Sequence, residues 1–537
     1  MQRPQEAAKR IAAYEKTLLR KDAMNHGIRE RILLISTRCG VLCAAIALTT
    51  GVRAQSLDEL LAKGGEQLRA GDWAAAVDTY TKAVQADGRS AKAHAEKVRA
   101  LLENYQVHEA EQSSKTALAA APKSPEVLEA VGEVEFRMGR MQQAADSFES
   151  ALQIDENCAR VWLGMAEINR VISNHKRAHE MIEKAHSIDA DDPDILEAWA
   201  HEQKKAADEV PALQRVLVMR TKDRERHRAA LQNHIEFLSA LKDRPVYELA
   251  SPYAASDIRL REIINGPNRR GGWAVEVRVN GRKADLQLDT GASGLMIRRS
   301  PAGKMGLEKL SDERLSGIGN EGDRRGYTAL ADEVQIGGVV LKHVPVRVSP
   351  SDMGDPDTQG LIGTNLLSDF LISLDFKRRT IHLEPFPDGK PDRDTPRDRV
   401  MPAKESGFQP VFRMGHLLLV STRAADRAGL FGIDTGAWAT TLSSEFARLA
   451  ARKQVGDSDL RIRGVSGEVK NVKNTSSIVL EFAGFRQLNR DVTTFDFTTM
   501  NNEDGFEMAG LLGRPVLNLF RLTLDYQNGL VRWEYQP

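Results

Sequence analysis

At roughly 100–200 residues per domain, a chain of 537 residues is too long for one core, and its 75 basic and 75 acidic residues cancel. That balance excludes a protein organised around a polyanion, so no nucleic-acid partner is expected. With 41% hydrophobic and 28% charged residues the composition is that of a folded globular chain, and three cysteines exclude a disulfide framework.

The chain begins with a targeting signature. Arg29, Arg31 and Arg38 precede the apolar run Val41-Leu42-Cys43-Ala44-Ala45-Ile46-Ala47-Leu48, and Val52-Arg53-Ala54 before Gln55 suits signal cleavage. Residues 1–54 are therefore expected to be an N-terminal extension and signal peptide, sending the mature chain to the periplasm or outside the cell. The run is short for a bilayer, so no membrane span is expected after cleavage. Polar residues 1–23 are long for a signal n-region and make Met24 a candidate start. Cys39 and Cys43 leave with this segment. Cys158 remains, and reads as a small buried hydrophobe inside a helical repeat.

From Leu57 the chain repeats every 34 residues. Ala76, Ala110, Ala144 and Ala178 form one column, and Ala83, Ala117, Ala151 and Ala185 another. Tyr80, Ser114, Phe148 and Ile182 share a further register position, as do Gly64, Val98, Gly132 and Ala166. The pattern resembles the tetratricopeptide repeat, a helix-turn-helix unit packed through small residues. A degenerate fifth repeat covers 193–226, with Ala212 in register, and Arg226 to Leu241 reads as a capping helix. The resemblance implies a solenoid over 55–243 whose concave face takes an extended peptide or protein partner. A proline-bearing linker, 244–267, follows.

Trp273 to Val279 alternates as a strand, Asn280-Gly281 marks a hairpin turn, and Lys283 to Leu288 returns to Asp289. There stands Asp289-Thr290-Gly291-Ala292, repeated 145 positions later as Asp434-Thr435-Gly436-Ala437. Each copy has a downstream echo: Gly360-Leu361-Ile362-Gly363 then Ile372-Ser373-Leu374-Asp375, and Gly510-Leu511-Leu512-Gly513 then Leu522-Thr523-Leu524-Asp525. Two ordered landmark sets describe a duplicated lobe.

At these residues the chain resembles the aspartic peptidases, closest to the retropepsin branch, with two lobes in one chain in the pepsin manner. The resemblance implies an all-β bilobal acid-protease fold: lobe 1 over 268–386, a proline-rich interlobe linker over 387–402, and lobe 2 over 403–537. Two neighbouring carboxylates sharing one proton supply both a base for water and an acid for the carbonyl oxygen, which assigns catalysis of peptide-bond hydrolysis to Asp289 and Asp434. Thr290, Gly291, Thr435 and Gly436 support the site, the threonines as a grip between lobes. The glycine clusters Gly317-Ile318-Gly319 and Gly464-Val465-Ser466-Gly467, in which Gly319 and Gly464 each lie 30 residues past the aspartate of their lobe, are the flap candidates. Trp438, where a small or polar residue is expected, reshapes a subsite. A non-catalytic peptide-binding adaptor is the alternative.

The Gly317-x-Gly-x-x-Gly322 spacing also matches a dinucleotide fingerprint, but no helical stripe follows it. Neither a His-Glu-x-x-His helix nor a Gly-x-Ser-x-Gly elbow is present. No cofactor and no metal are expected.

Overall fold

The repeat columns become helices because each small residue lies where two helices meet. The computed structural model describes residues 55–242, 244–264, 270–350, 357–450, 454–458, 460–490 and 492–536; the targeting segment lies outside them. Eleven helices follow one another: α1 (Leu57–Ala70), α2 (Trp73–Ala86), α3 (Ala91–Glu103), α4 (Val107–Ala120), α5 (Pro125–Arg137), α6 (Met141–Leu152), α7 (Ala159–Val171), α8 (His175–Ile188), α9 (Pro193–Ala200), α10 (Ala206–Met219) and α11 (Glu225–Leu241). Ser56 and Glu59 cap α1 reciprocally. Ser124 and Asp192 cap α5 and α9 just ahead of a proline in the first helical position, where its missing N–H costs nothing. The eight alanines of the two columns are buried. A Cβ at Gly64 would lie 2.5 Å from the Tyr80 ring, and one at Gly132 2.5 Å from Phe148, so those positions admit the aromatic of the next helix only as glycine. Within its repeat Cys158 stands at the N-cap of α7, half-buried instead of buried, and burial together with Asp155 pushes its thiol up to about 12.

The array does not offer the open concave face that its repeats imply. Its last turn comes back to its first: Lys222 N donates to the Ala70 carbonyl at 2.7 Å, and Lys222 Nζ pairs with Asp72 at 2.7 Å. The Arg220 guanidinium lies 4.5 Å from the Trp73 ring centroid. Inside, Arg99 and Arg160 each reach Asp192 at 3.0 Å and Asp194 at 3.1 Å, Arg160 also holds Glu133 at 2.6 Å, and Arg220 pairs with Asp194. Buried charges persist only when paired, and this network fills the inner face. A cavity of about 210 Å³ beside it, lined by Glu103, Tyr105, Arg137 and Phe148 among others, is smaller than the roughly 300–1,000 Å³ of ligand pockets.

The remainder is β. In the first lobe run β1 (Ser256–Ile264), β2 (Arg270–Val279), β3 (Arg282–Leu288), β4 (Leu295–Arg298), β5 (Lys309–Leu315), β6 (Arg324–Ile336), β7 (Val339–Ser349), β8 (Gly360–Ile362), β9 (Phe370–Asp375) and β10 (Thr380–Pro385). The second lobe carries β11 (Leu417–Ala424), β12 (Arg427–Ile433), β13 (Thr441–Ser443), β14 (Ile478–Phe482), β15 (Phe485–Asn489), β16 (Met508–Leu512), β17 (Phe520–Asp525) and β18 (Leu530–Tyr535), with shorter strands between. Asn280 and Gly281 make the β2–β3 turn at φ 48° and 75°. The two downstream echoes pair with each other: β9 runs antiparallel to β17, Ser373 opposite Thr523, their hydroxyls 2.9 Å apart. One sheet thereby continues from lobe to lobe.

The helical half is packed into this β half. Met141 and Val171 enter a core cluster with Leu430, Phe506 and Met508. The interlobe linker, despite its polar composition, is pinned: His175 N donates to the Arg397 carbonyl at 3.1 Å and Arg177 pairs with Asp398 at 3.2 Å. Helix α11 is no solvent-facing cap, because it packs on β5, with Glu225 2.5 Å from Arg314.

Candidate active site

Each Asp-Thr-Gly-Ala loop leaves a strand that lies parallel to its own glycine-flanked echo: β3 beside β8, and β12 beside β16. Asp289 N donates to the Ile362 carbonyl at 3.0 Å and Asp434 N to that of Leu512 at 3.1 Å, so the two loops start alike. A Cβ at Gly363 would lie 2.2 Å from the Ala292 carbonyl oxygen, and one at Gly513 2.3 Å from that of Ala439. The apolar-apolar-Gly landmarks are glycine because the aspartate loops fold back over them.

The loops meet. Thr290 N donates to Thr435 Oγ1 at 3.0 Å and Thr435 N to Thr290 Oγ1 at 2.9 Å. Each hydroxyl then crosses over, Thr290 Oγ1 donating to the Ile433 carbonyl at 2.6 Å and Thr435 Oγ1 to that of Leu288 at 3.2 Å. All four groups are buried, so the grip joins the lobes without help from water. It brings the Asp289 and Asp434 side chains into hydrogen-bond contact. Gly436 and Gly291 make room: a Cβ on Gly436 would stand 2.5 Å from the Asp289 carboxyl carbon, and one on Gly291 3.1 Å from that of Asp434.

Asp289 Oδ1 accepts from Gly291 N at 2.8 Å, and Asp434 Oδ1 accepts from Gly436 N and Ala437 N at 2.8 and 2.9 Å. Burial nevertheless pushes both carboxyls above their ordinary range, Asp289 the further because the Asp434 charge adds to it. On the Asp434 side the Arg514 guanidinium offsets part of the rise. The environment therefore favours one proton shared by the pair.

The two glycine clusters meet tip to tip. Gly464 and Gly467 pair in a hairpin. Ser466 N donates to the Ile318 carbonyl at 3.0 Å, Glu321 N to that of Ser466 at 2.8 Å, and Gly317 N to Ser466 Oγ at 3.2 Å. Gly319, at φ 138°, leaves no room for a Cβ, which would lie 2.2 Å from the Ser466 carbonyl carbon. The tips exchange lobes: Ile318 packs on the cluster holding Leu430 and Phe506, and Val465 on Met296 and Leu315. Glu321 and Arg324 form an ion pair at the base of the first tip. Trp438 is exposed beside the second aspartate loop.

Three neighbours were not foreseen. Arg514 occupies the place of Thr364 in the duplicated landmark, a difference visible once the two copies are aligned. Tyr526, buried, bonds Thr364 Oγ1 at 2.7 Å and stands where the first copy has Phe376. His416 Nε2 lies 3.0 Å from the Gly291 carbonyl and carries no motif at all.

Residues 275–366 match a family model described as aspartyl protease. An aspartic proteinase from Irpex lacteus is structurally similar at 12% identity and a TM-score of 0.34, over 53% of this chain and 98% of that one. A thermophilic TPR protein from Thermus thermophilus is similar at 17% identity and a TM-score of 0.27, over 33% of this chain and 99% of that one. No curated protein matches the chain. Consecutive helical repeats over 57–241 precede a β-rich half, within which residues 275–366 match the aspartyl protease model.

Proposed function

We propose that the protein is an aspartic-type endopeptidase in which Asp289 and Asp434 activate a water for attack on a peptide carbonyl. The observation that carries this reading is the cross-lobe threonine grip, which brings the half-buried Asp289 and the buried Asp434 together with one proton favoured between them. In the Michaelis complex the ionised member of the pair takes a proton from water while the protonated member hydrogen-bonds the carbonyl oxygen. The proton then passes to the leaving amine as the tetrahedral adduct collapses. The two flaps cover an extended peptide and exclude bulk water once they part to admit it.

A protein substrate or partner binds the outer surface of the array, since the inner face is filled, and the array's contribution to the site is to hold the flap base and lobe 2. Export from the cytoplasm, read from residues 1–54, belongs to the same proposal.

The test is cleavage profiling of the purified chain on an unbiased peptide library from pH 3 to 8. Turnover with a bell-shaped pH profile, lost in both Asp289→Asn and Asp434→Asn, is the expected outcome. A folded Asp434→Asn protein cleaving at the native rate overturns the dyad, and a chain that cleaves nothing at any pH leaves the adaptor reading.

A further inference from the structure

Away from the dyad, three segments of the array bring nitrogen and oxygen donors to one point. His201 closes α9, Glu209 lies in the first turn of α10, and His234 stands in α11. His201 Nδ1 is 3.1 Å and His234 Nε2 2.8 Å from the same carboxylate oxygen, Glu209 Oε1, and the three atoms lie within 4.8 Å of one another. The imidazoles are 5.4 Å apart and tilted by 59°, so they do not stack. Glu209 is buried, with 8% exposure. The acids of the inner network, buried Asp192 and Glu129 and half-buried Asp194, pair with arginine. Among the described residues, Glu209 has ion pairs only to two imidazoles, which carry no fixed charge.

We propose that His201, Glu209 and His234 bind a divalent transition-metal ion of the zinc type, which ties the last repeat to the closing helix. Two imidazole nitrogens and one carboxylate oxygen make a borderline donor set that suits zinc, whereas calcium and magnesium ask for oxygen alone. Bonds of about 2.0–2.2 Å in a tetrahedron hold donor atoms roughly 3.3 Å apart. The present separations reach that by small rotations of the two rings, which are free to turn because they are 42% and 39% exposed. The same exposure leaves a fourth position for water. The ion would also fix α11, whose first turn carries Glu225 and Arg226 against the base of the lobe 1 flap. The site is independent of the peptidase reading, and either can fail alone.

The experiment uses the tag-free full chain stripped with chelator and titrated with zinc chloride by calorimetry, and with cobalt(II) by visible absorption. One zinc per chain, tetrahedral cobalt bands quenched by zinc, and a higher melting temperature with zinc are expected. His201→Ala/His234→Ala, conservative for folding because both rings are half-exposed, should lose affinity by more than the roughly 10–100-fold that removing an outer-shell partner costs. Glu209→Gln keeps the shape and should weaken binding without changing the circular dichroism. Zinc uptake equal in the native chain and the double variant, or no saturable one-to-one binding with no cobalt bands, overturns the site and leaves a hydrogen-bonded His-Glu-His cluster only.

Discussion

Replacing Asp434 with Asn should stop turnover and, at neutral pH, make the protein more stable. The amide oxygen keeps the acceptor for Gly436 N and Ala437 N, now 2.8 and 2.9 Å from Oδ1, and its NH2 donates to Asp289. What disappears is the buried member of two abutting ionisable groups. Burial raises both carboxyls above the ordinary value of 3.8. A raised carboxyl binds its proton more tightly in the folded chain than in the unfolded one. Its stabilising contribution is full below the unfolded pKa and is lost as pH rises through the folded one. Native protein therefore loses stability on going from acid to neutral pH that the Asn variant keeps. Each pKa unit is about 1.4 kcal/mol, which moves the melting temperature of a domain of 150–250 residues by roughly 3–6 °C. Calorimetric melts of both proteins between pH 3.5 and 7.5 measure the difference. It should be largest at the neutral end and vanish at the acid end. A variant that melts below the native chain at pH 7, or by a margin that ignores pH, refutes a buried proton-sharing pair.

Thr435→Val should cost about 1–3 kcal/mol for each buried group it strands, the Thr290 N–H and the Leu288 carbonyl, and an unchanged urea midpoint would remove the grip from the argument. Arg226 joins Asp323 at 3.2 Å and also pairs with Glu503. Because such half-exposed pairs contribute only ~0.2–1 kcal/mol, Arg226→Ala should leave the melt nearly unchanged yet speed hydrogen exchange across residues 309–328; equal exchange counts against a strapped flap. Burial, with Arg413 and Arg170 nearby, lowers His175 from 6.5 to about 4. Its stability contribution is full above pH 6.5 and falls away as acid approaches pH 4, by at most about 3 kcal/mol. His175→Gln should flatten that part of the stability profile, and an unaltered slope between pH 6.5 and 4 would contradict it.

The site was legible where chemistry and sterics coincide at one residue. Asp289-Thr290-Gly291 and Asp434-Thr435-Gly436 tolerate almost no substitution, since the carboxyls, the grip and the close approach each demand their residue type, and the glycines of the echoes are forced by carbonyls 2.0–2.4 Å from any Cβ. The alanine columns were legible for the same steric reason. Contacts made between distant parts of the chain left no such mark. His416 reaches Gly291 from 125 positions away, and His201 meets His234 through a buried acid with no metal-motif spacing between them. The linker's prolines and charges described its solubility and said nothing of Asn174, His175 and Arg177, which hold it. The fifth repeat, weak in register, gave no hint that its end returns to Trp73.

That return changes how the array comes apart. A solenoid is a one-dimensional stack whose stability adds up from neighbour to neighbour, so its end repeats fray first and repeats can be added or deleted with little effect on the rest. Here Lys222 meets Ala70 and Arg220 covers Trp73, so no repeat is terminal in that sense. Opening any one unit severs a loop of contacts, and unfolding has no edge at which to start. Inserting or removing a 34-residue repeat between Arg99 and Asp192 would misalign that arginine with Asp192 and Asp194 across the middle as well as break the seam. The number of repeats is thereby locked by geometry, and the array should melt as one body instead of peeling.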